Sequence, residues 1–318
     1  MTPEPELHPT QCAICHVPDN AAEVYPANFS PQDLNAEVFS ARRLPDRVHY
    51  RIVKCRTCGL VRSDPIADAS LLERLYAQST FDYGVEVKNL QTTYGRYLRK
   101  LESHGAVKGE LLEIGCGNGF FLDVANEQGY RRARGVEPSS QAAAMAEERH
   151  RGNVLCDVMR PGLFAPETFD TICLFQVFDH ITAPDAMLRE CWNVLKPGGL
   201  VLCLNHNVRS VSARLMGEAS PIIDIEHTYL YSPATMTRIF SDAGFTVAHA
   251  GCAWNHYSLR YFARLLPLPK RLKASVLAFL SNGWLGSLSI SLPLGNLWVV
   301  ARKDAKHGAS IAGRTSTP

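Results

Sequence analysis

From Leu111 onward short apolar runs alternate with helical patterns, and this alternation limits the folds open to the chain more than any other feature. The runs are LLEIG (111–115), RARGVE (132–137), NVLCDV (153–158), FDTICLF (169–175) and GGLVLCLN (198–205). Between them lie GFFLDVANEQG, SSQAAAMAEERH and PDAMLRECWNVLK. Strands separated by helices of about ten residues or more cannot pair as hairpins; they build βαβ units around a parallel sheet. The fold class expected is therefore α/β, a doubly wound, mostly parallel sheet. Ser139 and Pro184 stand where helix starts favour a cap or a first-turn proline. Pro197-Gly198-Gly199 is expected to end a helix and release the next strand. A capped helix (SPATMTRIFSDAG) and two further runs, FTVAHA (245–250) and NLWVVARK (296–303), follow.

The first run leads into Gly115-Cys116-Gly117-Asn118-Gly119. A glycine turn between the first strand and helix of such a sheet is a nucleotide-cofactor site, because bare backbone permits close approach and the helix start offers free N–H groups. An acid ending the second strand suits ribose hydroxyls, and Glu137, followed by Pro138, fills that place. Dinucleotides and S-adenosylmethionine (SAM) both fit so far. The spacing G-x-G-x-G departs from the dinucleotide fingerprint. Glu113, at the end of the first strand, would repel a pyrophosphate but suits a ligand carrying an ammonium and a sulfonium. A nicotinamide oxidoreductase is disfavoured on both counts. Cys116 reads as a small residue that fits the turn, and Phe175 and Gln176 should line the crevice at the end of the fourth strand.

Residues 111–205 resemble the class I SAM-dependent methyltransferases. ELLEIGCGNGFFL is similar to their first motif, VEPSS to their second-strand acid, and FDTICLFQVFDHI and LRECWNVLKPGGLVLCLN to their fourth strand and to the helix, turn and strand after it. The resemblance implies a Rossmann-like seven-stranded sheet whose last strand is antiparallel, with FTVAHA and LWVVARK as strands six and seven. It also implies that Asp157, beside Val158 in NVLCDV, reaches the adenine amino group.

Cys12-x2-Cys15 and Cys55-x2-Cys58 have the spacing of a four-thiolate zinc site. Four thiolates leave no open position, so the site is expected to be structural and to staple a small N-terminal ribbon. Glycine follows Cys58 but not Cys15, and His16 and His49 are weaker substitutes as ligands. Arg42, Arg43, Arg47, Arg51, Lys54, Arg56 and Arg62 make residues 42–62 basic, which keeps open a zinc-ribbon RNA methyltransferase, or an RNA-binding protein with a methyltransferase-like core. FQVFDH lacks the acid- or asparagine-Pro-Pro-aromatic segment that goes with methylation of base amino groups, so nucleic acid is the weaker partner.

If the acceptor is a hydroxyl or an acidic carbon, a base must take its proton. Asp179 and His180 after the fourth strand, and Glu226 and His227 in DIEHTYLYSP, are the candidates; His227 leads because imidazole titrates near neutrality and Glu226 can orient it. A four-cysteine site, such a core and a Glu-His pair after strand five also resemble the deoxysugar C-methyltransferases. In overall plan the short zinc-ribbon methyltransferases of surface-glycan and natural-product pathways are closer. A small-molecule acceptor, namely a sugar, a nucleotide sugar or a polyketide-like metabolite, is what this likeness implies.

The 318 residues, 46% hydrophobic and 20% charged with net charge +2, describe an ordinary globular protein without a field that selects nucleic acid or membrane. MTPEPELHPTQC has neither a basic nor an apolar leader region, so reduced thiols and a cytoplasmic location are expected. Ala274 to Ala301 carries no charge, yet Asn282, Gly283, Gly286, Pro293, Gly295 and Asn296 interrupt it, which favours buried loop and strand over a membrane span. The organisation expected is a zinc ribbon (1–63), a helical linker or cofactor-side lid (64–108), the core (109–303) with insertions at 206–232 and 251–294, and a disordered tail (304–318). The second insertion reads as a cap over the acceptor, with peripheral membrane contact through 259–292 as the other reading.

Overall fold

Seven strands form one sheet in the computed structural model, which describes residues 6–17, 19–35, 38–39, 47–78, 86–266, 268–281 and 284–304. In chain order they are β1 (Glu110–Ile114), β2 (Arg132–Glu137), β3 (Val154–Cys156), β4 (Phe169–Phe175), β5 (Leu195–His206), β6 (Thr246–Cys252) and β7 (Asn296–Arg302). Their order across the sheet is β6-β7-β5-β4-β1-β2-β3, and β7 alone runs antiparallel to its neighbours. The strand order reverses between β1 and β4, so a crevice opens at their carboxyl ends.

Helices α1 (Ala69–Ala77) and α2 (Val87–Lys100) precede the sheet; α3 (Phe120–Glu127), α4 (Ser140–Ala144), α5 (Pro184–Val194), α6 (Val211–Met216) and α7 (Pro233–Asp242) connect its strands. One face of the sheet packs Ile114, Phe178, Leu188, Tyr231 and Phe240. The other packs Tyr94 and Tyr97 of α2 with Phe121, Phe175 and Trp298. Each such buried side chain contributes about 1.5–3 kcal/mol. Ser139 caps α4 by accepting from Ala142 N (3.2 Å), and Ser232 caps α7 by accepting from Thr235 N (3.3 Å).

Two local expectations change. Pro197-Gly198-Gly199 does not separate helix from strand: β5 already begins at Leu195, and the three residues form a register shift against β4, with Gly198 at φ 82°. The uncharged stretch is not loop and strand throughout. Its first part continues α9 (Lys270–Ser281), which follows α8 (Leu259–Leu265), because the interrupting residues fall beyond the helix rather than within it. Among the described residues no helix is long and apolar enough to cross a membrane.

The N-terminal segment is joined to the core rather than set apart from it. Its antiparallel sheet runs Tyr229–Leu230, Val61–Ser63, Ile52–Cys55, Ala21–Tyr25, so one strand comes from the insertion after β5. Cys12, Ile14, Cys55 and Leu60 pack in the same cluster as Phe178 and Tyr231. Arg42 and Arg43 lie outside the described residues, as does the expected tail apart from Asp304. Arg51 and Arg62 are engaged internally. Arg51 pairs with Asp64 at 3.1 Å, and Arg62, 2% exposed, donates from Nε to Thr10 Oγ1 at 3.0 Å.

Candidate functional site

The turn after β1 places Gly115, Gly117 and Gly119 at φ 73°, 56° and 78°, conformations that favour glycine. At Gly115 a Cβ would also stand 2.4 Å from Val177 Cγ2. Glu137 ends β2 almost fully buried and ties this turn down. Its Oε2 accepts from Gly117 N at 2.8 Å and its Oε1 from Ser139 N at 2.9 Å. Burial pushes its pKa up, while those two N–H donors work against the rise.

A cavity of about 940 Å³ opens at the carboxyl ends of the strands. Gly115, Glu137, Pro138, Asp157, Val158, Phe175 and Gln176 line it; Glu113, Cys116, Gly117, Asn118 and Gly119 do not reach its wall. Asp157 accepts from Val158 N (2.7 Å) and from Arg160 Nη2 (2.9 Å), and these bonds hold its pKa low. Gln176 sits at φ 59°, a strained backbone for a non-glycine residue, and its buried Oε1 meets no protein donor. An unfilled acceptor, a buried carboxylate and a glycine-shaped wall suit a ligand with hydroxyls and an ammonium, and thus fit SAM.

Glu113 plays a different part from the one its position suggests. It is 2% exposed beneath the turn, and burial first, then the charge of Glu137, push its pKa well above the ordinary range. Glu113 does not line the cavity, so a ligand bound there does not touch it. Because the folded chain holds this proton more tightly than the unfolded one, stability falls as pH rises above the ordinary carboxylate range. Glu113→Gln is expected to lose that decline, which thermal melts from pH 4.5 to 8 would register; an unchanged slope would place the proton elsewhere. Cys116 is 1% exposed, and burial pushes its thiol up, so it is inert.

The opposite part of the cavity carries imidazoles and carboxylates. His180 follows β4, His206 ends β5, and Asp224, Glu226 and His227 come from the insertion; all five line the cavity. Asp179 lies behind them, fully buried, with Oδ2 2.5 Å from His206 Nδ1 and 3.9 Å from His227 Nε2. Although burial works against it, the charges of His206, His180 and His227 hold the Asp179 carboxyl far below its ordinary range. Tyr76 of α1 donates to the Glu226 carbonyl (3.3 Å), and its hydroxyl also lies within hydrogen-bond distance of His180 Nδ1 (2.9 Å). Tyr76 and His206 were not identified as site residues from sequence. The last residue of a central strand in this fold faces the crevice, which would have marked His206; nothing local marks Tyr76.

Cys12, Cys15, Cys55 and Cys58 offer sulfurs that all lie within 4.8 Å of one another. Tetrahedral zinc with bonds of about 2.3 Å needs such a cluster. Gly59, at φ 75°, closes the second knuckle by donating to Cys55 O at 3.0 Å. Burial opposes ionisation of Cys55, but N–H groups of Cys58 and Thr57 hold its thiol down to about 7. The knuckle reaches the imidazoles through one strand: Ser63 Oγ donates to His227 O (2.8 Å), Ser63 N to Thr228 O (2.9 Å), and Thr228 N to Asp179 O (2.9 Å). Cys55→Ser should therefore lower turnover at least tenfold while affinity for S-adenosylhomocysteine (SAH) changes only a few-fold. Metal content and calorimetry on the same samples check this, and full turnover in a zinc-free variant would break the link.

A family profile described as "Methyltransferase domain" matches residues 87–250. The ubiquinone biosynthesis O-methyltransferase of Neisseria meningitidis serogroup C is 25% identical over 187 residues, 54% of this chain and 79% of that protein. The protein of the same description from Dinoroseobacter shibae is 32% identical over 132 residues, 38% of this chain and 52% of its own length. Among solved structures, a SAM-dependent methyltransferase from Archaeoglobus fulgidus aligns with a TM-score of 0.47 at 17% identity, covering 69% of this chain and 97% of that one.

Proposed function

The chain belongs to the methyltransferase-domain family, enzymes whose donor is SAM, and on that premise we propose that it methylates a hydroxyl oxygen of a small molecule: a sugar, a nucleotide sugar or a polyketide-like metabolite. One observation carries this reading. The same cavity joins the Glu137 wall to the His180–Glu226–His227 wall, and at about 940 Å³ it has room for a donor and a sugar-sized acceptor together. When bound, the donor supplies a methyl group on a cationic sulfur, so the protein has mainly to align the acceptor and manage its proton.

Glu137 binds the ribose hydroxyls, Gln176 Oε1 accepts from the amino-acid end, and Asp157 and Val158 border the adenine. On the acceptor side His180 Nε2 takes the hydroxyl proton, with the Tyr76 hydroxyl beside its Nδ1, while the charge of Asp179 stabilises the imidazolium. His227 and Glu226 shape the same wall. Tyr257, Tyr261 and Phe262, from the segment before β7, line the cavity as an acceptor-side cap. Zinc on Cys12, Cys15, Cys55 and Cys58 is structural. The engagement of Arg51 and Arg62 with Asp64 and Thr10 supports a small molecule over RNA, and the O-methyltransferase description of the relatives supports oxygen.

The test is transfer of a radiolabelled methyl from SAM into cell extract divided into low-mass metabolites and RNA. Label in the low-mass fraction is expected. Label in RNA alone, or no SAM binding by calorimetry, overturns the reading.

A further inference from the structure

The imidazole end of the cavity contains a gap that hydrogen bonding does not fill. His227 Nδ1 stands 2.9 Å from the carbonyl of Ile222, which can only accept, so Nδ1 carries the proton and Nε2 presents a lone pair. That lone pair faces Asp179 Oδ2 across 3.9 Å, beyond hydrogen-bond reach, with an electron donor on each side. The other oxygen, Asp179 Oδ1, is fully buried and finds no hydrogen-bond donor. Among the described residues this carboxylate pairs with imidazoles alone, at 2.5 Å (His206), 3.6 Å (His180) and 3.9 Å (His227).

A cation between Asp179 Oδ2 and His227 Nε2 resolves the facing pair of electron donors. Two bent ligand bonds of about 2.0–2.2 Å span a gap of this size. One donor atom each from Asp179, His206 and His227 lies within 4.8 Å of the others. We propose that Asp179, His206 and His227 form a binding site for a divalent first-row transition-metal ion, distinct from the four-cysteine site and facing the acceptor side of the cavity. Two imidazoles with one carboxylate select zinc, iron, cobalt or nickel over magnesium or calcium. In the metal-free chain the proton between His206 Nδ1 and Asp179 Oδ2 occupies the place; the ion displaces it. Three protein ligands leave open positions, and His206, with its side chain 25% exposed, borders the cavity there. The acceptor class this favours, which rests on the function proposed above, is a molecule with two adjacent oxygens, such as a vicinal diol or hydroxyketone, able to chelate the ion beside His180.

The experiment titrates Co²⁺ into the full chain already loaded with zinc on its cysteines, followed by calorimetry and visible absorption. One equivalent of Co²⁺ should bind without thiolate-to-metal absorption. His206→Ala and Asp179→Asn should each weaken it at least about 100-fold, the upper range for losing a second-shell partner alone. No uptake by the zinc-loaded protein, or equal affinity in His206→Ala, overturns the proposal. Should Asp179→Asn fail to fold, His206→Ala decides alone. SAH affinity measured on the same samples keeps the two readings separate: its absence with Co²⁺ binding intact counts against methyl transfer and leaves the ion site standing.

Discussion

Glu137→Ala is expected to lower affinity for SAM and SAH by about 10²–10⁴ while the chain stays folded. Two ribose hydroxyl bonds to a carboxylate, at about 1.5–3 kcal/mol each, set that range. The carboxylate also fixes the turn, since Gly117 N and Ser139 N donate to its two oxygens. Glutamine cannot repair the loss, because one of those N–H groups would then face an amide NH2. Glu137→Gln should therefore bind almost as poorly as the alanine variant, whereas a residue acting through bulk alone would be rescued. Calorimetry with SAH, paired with circular dichroism, makes the measurement; near-normal affinity in either variant would remove Glu137 from the donor site.

His227→Ala should cut turnover by about 10²-fold, the size of loss expected when the wall that positions an acceptor is displaced, and leave SAH affinity within a few-fold. The ring is 5% exposed, with its centroid 4.6 Å from that of His206 and 4.9 Å from that of His180. Removing it takes one nitrogen from the surroundings of Asp179 and loosens the wall against which the acceptor rests. Glu137 and Gln176, which line the other part of the cavity, are untouched. Single-turnover rates at saturating SAM test this directly, and unchanged rates would show that His227 only fills space.

Much of this was legible along the chain because it is written in local periods. Arg132–Glu137 and Phe169–Phe175 are strands with the bounds expected from sequence, since turn residues flank each apolar run. The glycine turn and the paired cysteines announce themselves by spacing that few backbones or metals tolerate otherwise. The imidazole wall is of another kind. Tyr76 meets His180 across 104 residues, and His206 meets Asp179 across 27. No local pattern encodes such meetings; they follow from the order in which strands stack. Glu113 shows a further limit, because its charge state is set by burial under the turn rather than by its place in a motif.

Seen as an object to be cut, the chain offers no clean scissor line at the edges of its family match. A fragment of residues 87–250 would keep β1 to β5, yet would lose β7, the neighbour of both β5 and β6. It would also lose Ser63, and with it the clasp on the loop bearing His227. The cavity itself would be cut on two sides, since Leu72, Tyr76, Tyr257, Tyr261 and Asn296 line it, so the unit that can be moved intact is longer than the family match at both ends.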